Sequence, residues 1–438
     1  MKTHRKEDAK ISQSTQNVFN KGHEVGDYAK HYFGDFLEVR VDFHNLSESL
    51  NPAIELTKTL INRKTPTICE ATFKYEKALC LSDIVRVNSD GSLHVIEVKQ
   101  GANEKQEYLN DMAFQYYVIK KCGYTISKIS LMLIDTSYVR QGEIEPQKLF
   151  KIIDCTEKIL AMQDGISEKI EEFIRYSEQK EEPEMAVGSH CSKPYACAYF
   201  EHCHKGVDVK EEEGKMGGEN FNKEGIQFFL DGLNYPLYFF DFETTLQEPI
   251  PLVDGASPYK GTPYQYSLHI QKSKDENIEK LEHREFLAEE LTNETVRELA
   301  EQLCKDIPKD ATVIAWSVGF ERGVVERLAN TFPDLSEHLM AIHGNFVDLM
   351  RPFKSKYLRT PEMQDSASLK KVLPALLPEF RYSDLDVQDG SMAYDAFKSL
   401  PNSSPEKREQ TLQAMRDYCR LDTFAMVRIL RKLERFCE

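Results

Sequence analysis

The stretch Leu237-Tyr-Phe-Phe-Asp-Phe-Glu-Thr-Thr245 is an apolar strand that ends in two acids, Asp241 and Glu243. Being i and i+2, these acids share one face of a strand. An aromatic run of this kind belongs in the middle of a sheet, and carboxylates held there need cations to offset the cost of burial. Downstream, the patterns predict strands over 264–271 and 282–287, a helix over 294–303, a strand over 311–316, a helix beginning near Glu321 and a long helix over 404–436. Residues 226–438 therefore read as an α/β domain.

The last helix carries Tyr418 and Asp422 at i and i+4, again on one face. Glu321 follows a strand and a turn, in Ala315-Trp-Ser-Val-Gly-Phe-Glu321. If the sheet ends face the last helix, Asp241, Glu243, Glu321 and Asp422 converge with Tyr418. Such a set can hold two divalent ions roughly 4 Å apart around a phosphodiester, with Tyr418 orienting the attacking water. The competing reading is a satisfied polar edge. Asp348, in Phe346-Val-Asp-Leu-Met350, reads as structural. Asp241-Phe-Glu243-Thr, Phe320-Glu321 and Tyr418-Cys-Arg-Leu-Asp422 resemble the three motifs of the DEDDy 3′–5′ exonucleases on the ribonuclease H-like fold, with glutamate at 321 where that family has aspartate.

Upstream, the charged, Gly-containing segment 207–225 reads as a linker. Before it, 81–87 and 93–99 flank Asn88-Ser-Asp-Gly91, a hairpin signal. A helix is expected over 107–121 and a strand over 129–134. The hairpin sets Asp83 beside Glu97 and Lys99, two acids and a lysine suited to metal-assisted phosphodiester hydrolysis. A solvated hairpin face with a chance ion pair is the alternative. Ser-Asp83-Ile-Val with Glu97-Val-Lys99 resembles the PD-(D/E)XK nuclease motif of the RecB-like branch, Ser82 standing where the motif has proline. That resemblance implies an α/β restriction-endonuclease-like fold over 1–206. It also implies a supporting Gln115 and Tyr116, and an approach of His23 or Glu24 to a divalent ion held by Asp83 and Glu97.

Cys191, Cys197 and Cys203 form a trio at two equal spacings, the one cluster among ten cysteines. RecB-like nucleases of the CRISPR-adaptation type hold a four-iron cluster with such a trio and one further cysteine. Three readings stay open: a 4Fe-4S cluster completed by Cys69, Cys80, His202 or His204, a zinc site of the Cys3His type, or a decayed site of structural thiols.

The formal net charge of −16 divides as 27 minus 31 before Val207 and 29 minus 41 after it. Neither half has the basic footprint of a tight non-specific nucleic-acid binder, though a metal-dependent nuclease needs none. No apolar run reaches bilayer length, and the amino terminus has no apolar signal core. The expectation is a cytoplasmic, two-domain nuclease dependent on Mg2+ or Mn2+. The whole order resembles a bacterial family that fuses the two nuclease domains. DNA stands ahead of RNA as its partner, in repair or defence; the alternatives are an RNA exonuclease or a catalytically weak nucleic-acid-binding protein.

Overall fold

A computed structural model describes residues 9, 13–179, 187–192, 197–203, 219–380 and 385–438. The chain forms two compact units, Met1–Tyr138 with Glu143–Lys210, and Val139–Gly142 with Glu211–Glu438. Both are α/β with mixed sheets. Of the expected linker 207–225, only 219–225 is described, and it holds the short strand Asn220–Phe221 and the start of a helix at Lys223. Among the described residues no helix is long and apolar enough to cross a membrane.

In the first unit, helix α1 (Gln13–Lys30), strand β1 (Leu37–Glu38) and helix α2 (Leu46–Asn62) precede β2 (Thr67–Tyr75), β3 (Ala78–Val87) and β4 (Leu93–Lys99). Helix α3 (Gln106–Lys121), β5 (Ile126–Ile134) and β6 (Phe150–Asp154) follow. The six strands lie in sequence order. Strands β2, β3 and β4 run antiparallel, whereas β4 and β5 are parallel and are joined through α3, as a parallel pair requires. Leu93 and Val95 of β4 are buried in one cluster with Met112 and Ala113 of α3, so alternate residues of β4 face that helix. Glu97 and Lys99 continue the same alternation.

The β2–β3 ladder breaks at one step. Cys69 pairs with Ile84 and Ala71 with Ser82, and between them Glu70 takes a left-handed φ of 56°. A residue with a Cβ rarely adopts this conformation, and such breaks re-aim the side chains around them. The break leaves Glu70 and Asp83 out of the ladder, turned toward the cluster described below.

In the second unit, β7 (Leu237–Thr244) is followed by β8 (Pro263–Gln271), β9 (Glu282–Leu287), α4 (Asn293–Asp306), β10 (Thr312–Ala315), α5 (Gly319–Thr331) and β11 (Phe346–Asp348). Helices α6 (Leu369–Leu376), α7 (Gly390–Ser399) and α8 (Pro405–Cys437) come after the last strand of this sheet. Across the sheet the order is β9-β8-β7-β10-β11, with β7 central, antiparallel to β8 and parallel to β10. The two faces of β7 meet different layers. Tyr238, Phe240 and Phe242 pack with Leu299 of α4 and Val324 of α5, while Leu237 and Phe239 pack with Met426 and Leu430 of α8. The aromatics thus fill both faces, and Asp241 and Glu243 extend the face that α8 covers.

A buried polar stripe fixes α8 against β8. Gln265 Nε2 donates to Met415 O at 3.1 Å, and Thr423 Oγ1 lies 2.8 Å from both Ser267 Oγ and His269 Nδ1. Burial lowers His269 to about 3, so it is neutral at ordinary pH. These fixed bonds set the height of α8, and so of Tyr418 and Asp422, above the sheet.

Candidate functional site

In the second unit a cavity of about 740 Å³ is lined by Asp241, Glu243, Tyr418 and Asp422, together with Phe320, Arg327 and Lys370 among others. Three of the four acids expected to converge line this cavity with the tyrosine, and the fourth, Glu321, does not. Glu321 lies on the core side of α5, 3% exposed, and is not in the lining; its charge nonetheless acts on Asp241. Glu321 Oε2 has no hydrogen-bond partner, and burial followed by the charge of Asp348 raises its carboxyl to about 8.

The carboxyls meet acids more than bases. Asp241 is pushed well above the usual range by burial, then by Asp422, Glu243 and Glu321. Glu243 is raised by burial and by Asp422, and Lys370 is the cation that opposes this. A Cβ on Gly390, the first residue of α7, would lie 3.6 Å from Glu243 Oε2, so the helix start adds no bulk there. One ligand atom from each of Asp241, Glu243 and Cys419 lies within 4.8 Å of the others, and among the described residues this is the only such group of three. Cys419 escaped the sequence reading although its signal was present: it stands three residues before Asp422, on the same helical face. Burial, then Asp241, Glu243 and Asp422, hold its thiol well above the ordinary range. Gathered oxygens with so little positive charge nearby suit a hard divalent cation such as Mg2+ or Mn2+.

Asp348 is structural, as read from sequence. Its Oδ1 accepts from the backbone N–H of Ser317 and of Met350, both at 3.0 Å, and so fixes the turn that enters α5.

In the first unit the expected residues also meet, but as a closed network. Lys99 Nζ lies 2.6 Å from Glu97 Oε1 and 2.7 Å from Asp111 Oδ2. Gln115 Nε2 donates to Glu97 Oε2 at 2.6 Å while its Oε1 accepts from Ser82 Oγ at 2.9 Å. Asp83 Oδ2 accepts from the Val98 N–H at 2.7 Å. Burial and then Asp83 raise Glu97 well above its usual range, against the pull of Lys99. Tyr116 packs in the core, with Lys120 against its ring. His23 and Glu24 are exposed on α1, from which the charges of Lys30 and Asp27 act on Glu70. Asp111 and Glu70 were not foreseen. Glu70 is raised to about 7 by burial and then by Asp83, which makes it a fourth acid of this set beside Asp83, Glu97 and Asp111.

Cys191 is buried, and Cys197 and Cys203 are exposed; the Cys197 N–H donates to Cys191 O at 2.9 Å. Among the described residues the three thiols are not gathered with one another or with a histidine into a ligand group. Cys69 and Cys80 are buried in the sheet of the first unit, and His204 lies outside the described residues.

Residues 238–368 match a family described as a domain of unknown function (DUF2779), a span that holds Asp241, Glu243 and Glu321 but ends before Tyr418 and Asp422. Comparisons with curated proteins and with solved structures give no match.

Proposed function

We propose that the protein is a metal-dependent nuclease whose second unit removes nucleotides from 3′ ends in the manner of a DEDDy exonuclease. The observation that carries this reading is the lining of one cavity by Asp241, Glu243, Tyr418 and Asp422, with Asp241 raised by three acids and Glu243 opposed by Lys370 alone. The strand order supports it: the first three strands antiparallel and adjacent, then two parallel strands beside the first, is the order of a ribonuclease H-like sheet. A bound divalent ion would supply Lewis-acid stabilisation of the phosphate and an activated water. Asp241, Glu243 and Asp422 would hold it. Tyr418, one helical turn from Asp422, would orient the water through its hydroxyl. Lys370, close enough to act on Glu243, would offset charge on the phosphate.

For the first unit, Lys99 paired with Glu97, and Asp83 close enough for its charge to act with both, support a PD-(D/E)XK nuclease of the RecB-like type acting on DNA. A second reading, in which this unit holds nucleic acid without cutting it, is favoured by the closed Glu97–Lys99–Asp111 bridge, which engages Lys99 on both sides within the protein.

The test compares 3′-labelled and 5′-labelled single-stranded DNA and RNA, in Mg2+ or Mn2+, with wild type, Asp422→Ala and Lys99→Ala. Loss of 3′ label that Asp422→Ala abolishes is expected. No metal-dependent loss from any substrate would sink the enzyme, and loss untouched by Asp422→Ala would move the activity elsewhere.

A further inference from the structure

Arg284, Arg297, Arg408 and Arg428 of the second unit each have a carboxylate partner. Arg327 differs. It is half-buried, and burial depresses its pKa; the charge acting on it is that of Glu326, exposed on the same helix. No carboxylate lies within ion-pair distance of it among the described residues. A guanidinium stays protonated in proteins, so this one is a partly desolvated cation without a counter-ion.

Its position is fixed by two glycines. A Cβ on Gly323, one turn earlier, would lie 3.4 Å from Arg327 Nη1, so the guanidinium lies across that bare turn. Nη2 donates to Gly261 O at 2.9 Å. Gly261 is itself required, because a Cβ there would come 2.8 Å from Thr245 O. The fork is thus held in place while Arg327 lines the cavity. Phe320, Gly323 and Arg327 stand at i, i+3 and i+7, one face of α5, and Phe320 is 49% exposed. Asp241 and Glu243 lie on β7 and Arg327 two turns into α5, so the acids and the guanidinium reach the cavity from different elements.

We propose that Arg327 binds a backbone phosphate of a single-stranded 3′ end, the phosphate on the 5′ side of the one that faces Asp241, Glu243 and Asp422. This rests on the nuclease reading of the cavity. A planar fork suits phosphate, and an exposed aromatic one turn away suits the base between the two phosphates. The acids alone would repel a strand; the divalent ion and Arg327 together make the cavity attractive to it at two successive phosphates.

The test measures calorimetric binding of two thymidine dinucleotides, one with and one without a 5′-phosphate, to the full-length protein with Ca2+ in place of Mg2+ and cleavage checked by chromatography. Wild type is expected to bind the 5′-phosphorylated form about tenfold tighter, the worth of a charged hydrogen bond. Arg327→Gln should lose that preference while binding the unphosphorylated form within about twofold of wild type. Arg327→Lys, which keeps the charge without the fork, should retain part of the preference; it decides the matter if the glutamine variant does not fold. A preference unchanged in both variants, or absent from wild type that still binds both dinucleotides, overturns the role of Arg327 and leaves the nuclease reading standing. Wild type that binds neither overturns the nuclease reading itself.

Discussion

The two acid clusters differ in how their charge is met. Around β4, Glu97 is bonded to Gln115 and Lys99, Lys99 also to Asp111, and Asp83 accepts a backbone N–H. Around β7, Asp241 is acted on by Asp422, Glu243 and Glu321, all of the same sign. In the first cluster Lys99 bridges Glu97 and Asp111 and opposes the rise that burial and Asp83 impose on Glu97, whereas Asp241 in the second has no such cation and holds repulsion that a divalent ion would relieve. A stability measurement can tell the two apart, because removing one charge should act with opposite sign in each.

The largest effect is expected at Lys99. In Lys99→Met, Glu97 is left buried beside Asp83 and Asp111 with no cation, and breaking a buried pair costs about 4 kcal/mol. Trp316, the one tryptophan, sits in the second unit. Urea unfolding followed by circular dichroism should therefore show an early transition that Trp316 fluorescence does not report. A variant as stable as wild type would mean that the Lys99 bridge is a surface pair.

Asp241→Asn should move the other way, raising the fluorescence-detected stability in EDTA, since it removes a carboxyl that burial and the like charges of Asp422, Glu243 and Glu321 disfavour. The same variant should lose its response to Mg2+. Destabilisation in EDTA would contradict the repulsion on which the comparison rests.

A third test uses pH. Glu321 has a folded pKa of about 8, above its unfolded value, and Asp241 and Glu243 are displaced in the same direction. For an acid raised on folding, the folded state binds more protons than the unfolded one between the two values, so its contribution is complete below the unfolded pKa and is lost as pH rises toward about 8. Protons and the divalent ion compete for the same oxygens. The gain in melting temperature from millimolar Mg2+ should thus be near zero at about pH 5 and grow by a few degrees toward pH 8. The first unit, where Lys99 already bridges Glu97 and Asp111, should show the smaller response.

What the sequence made legible follows from the two side-chain periods. Asp241 with Glu243, and Tyr418 with Asp422, are fixed to common faces by spacings of two and four, and the aromatics of β7 declare a buried central strand. Glu97 and Lys99 are legible for the same reason. Glu70 is not, because its place depends on a left-handed residue inside Cys69-Glu-Ala71, where no glycine announces the break. Arg327 and Lys370 enter the cavity from an ordinary helix and from a loop-to-helix start, and no short-range pattern sets them apart from solvated cations. The cysteine trio shows the converse: a regular spacing is plain in the chain, while Cys191, Cys197 and Cys203 form no ligand group among the described residues.

The smallest effect, and the finest division, concerns Glu321. Its Oε2 is buried without a partner on the core side of α5, away from the Phe320–Gly323–Arg327 face that lines the cavity. From that position it acts on Asp241 by charge rather than by sharing an ion. Glu321→Gln keeps the shape and removes the charge that Glu321 carries above about pH 8, so Asp241 should ionise more readily there while the onset of Mg2+ stabilisation at lower pH stays unchanged. Mg2+ affinity at pH 8 should change by less than about threefold, under 1 kcal/mol, whereas Asp422→Asn should lose well over tenfold. A loss in Glu321→Gln as large as in Asp422→Asn would make Glu321 a ligand in the ion's shell. The side chain would then have to turn out of the core, and the second cluster would be one that rearranges to bind its ion rather than one that waits for it.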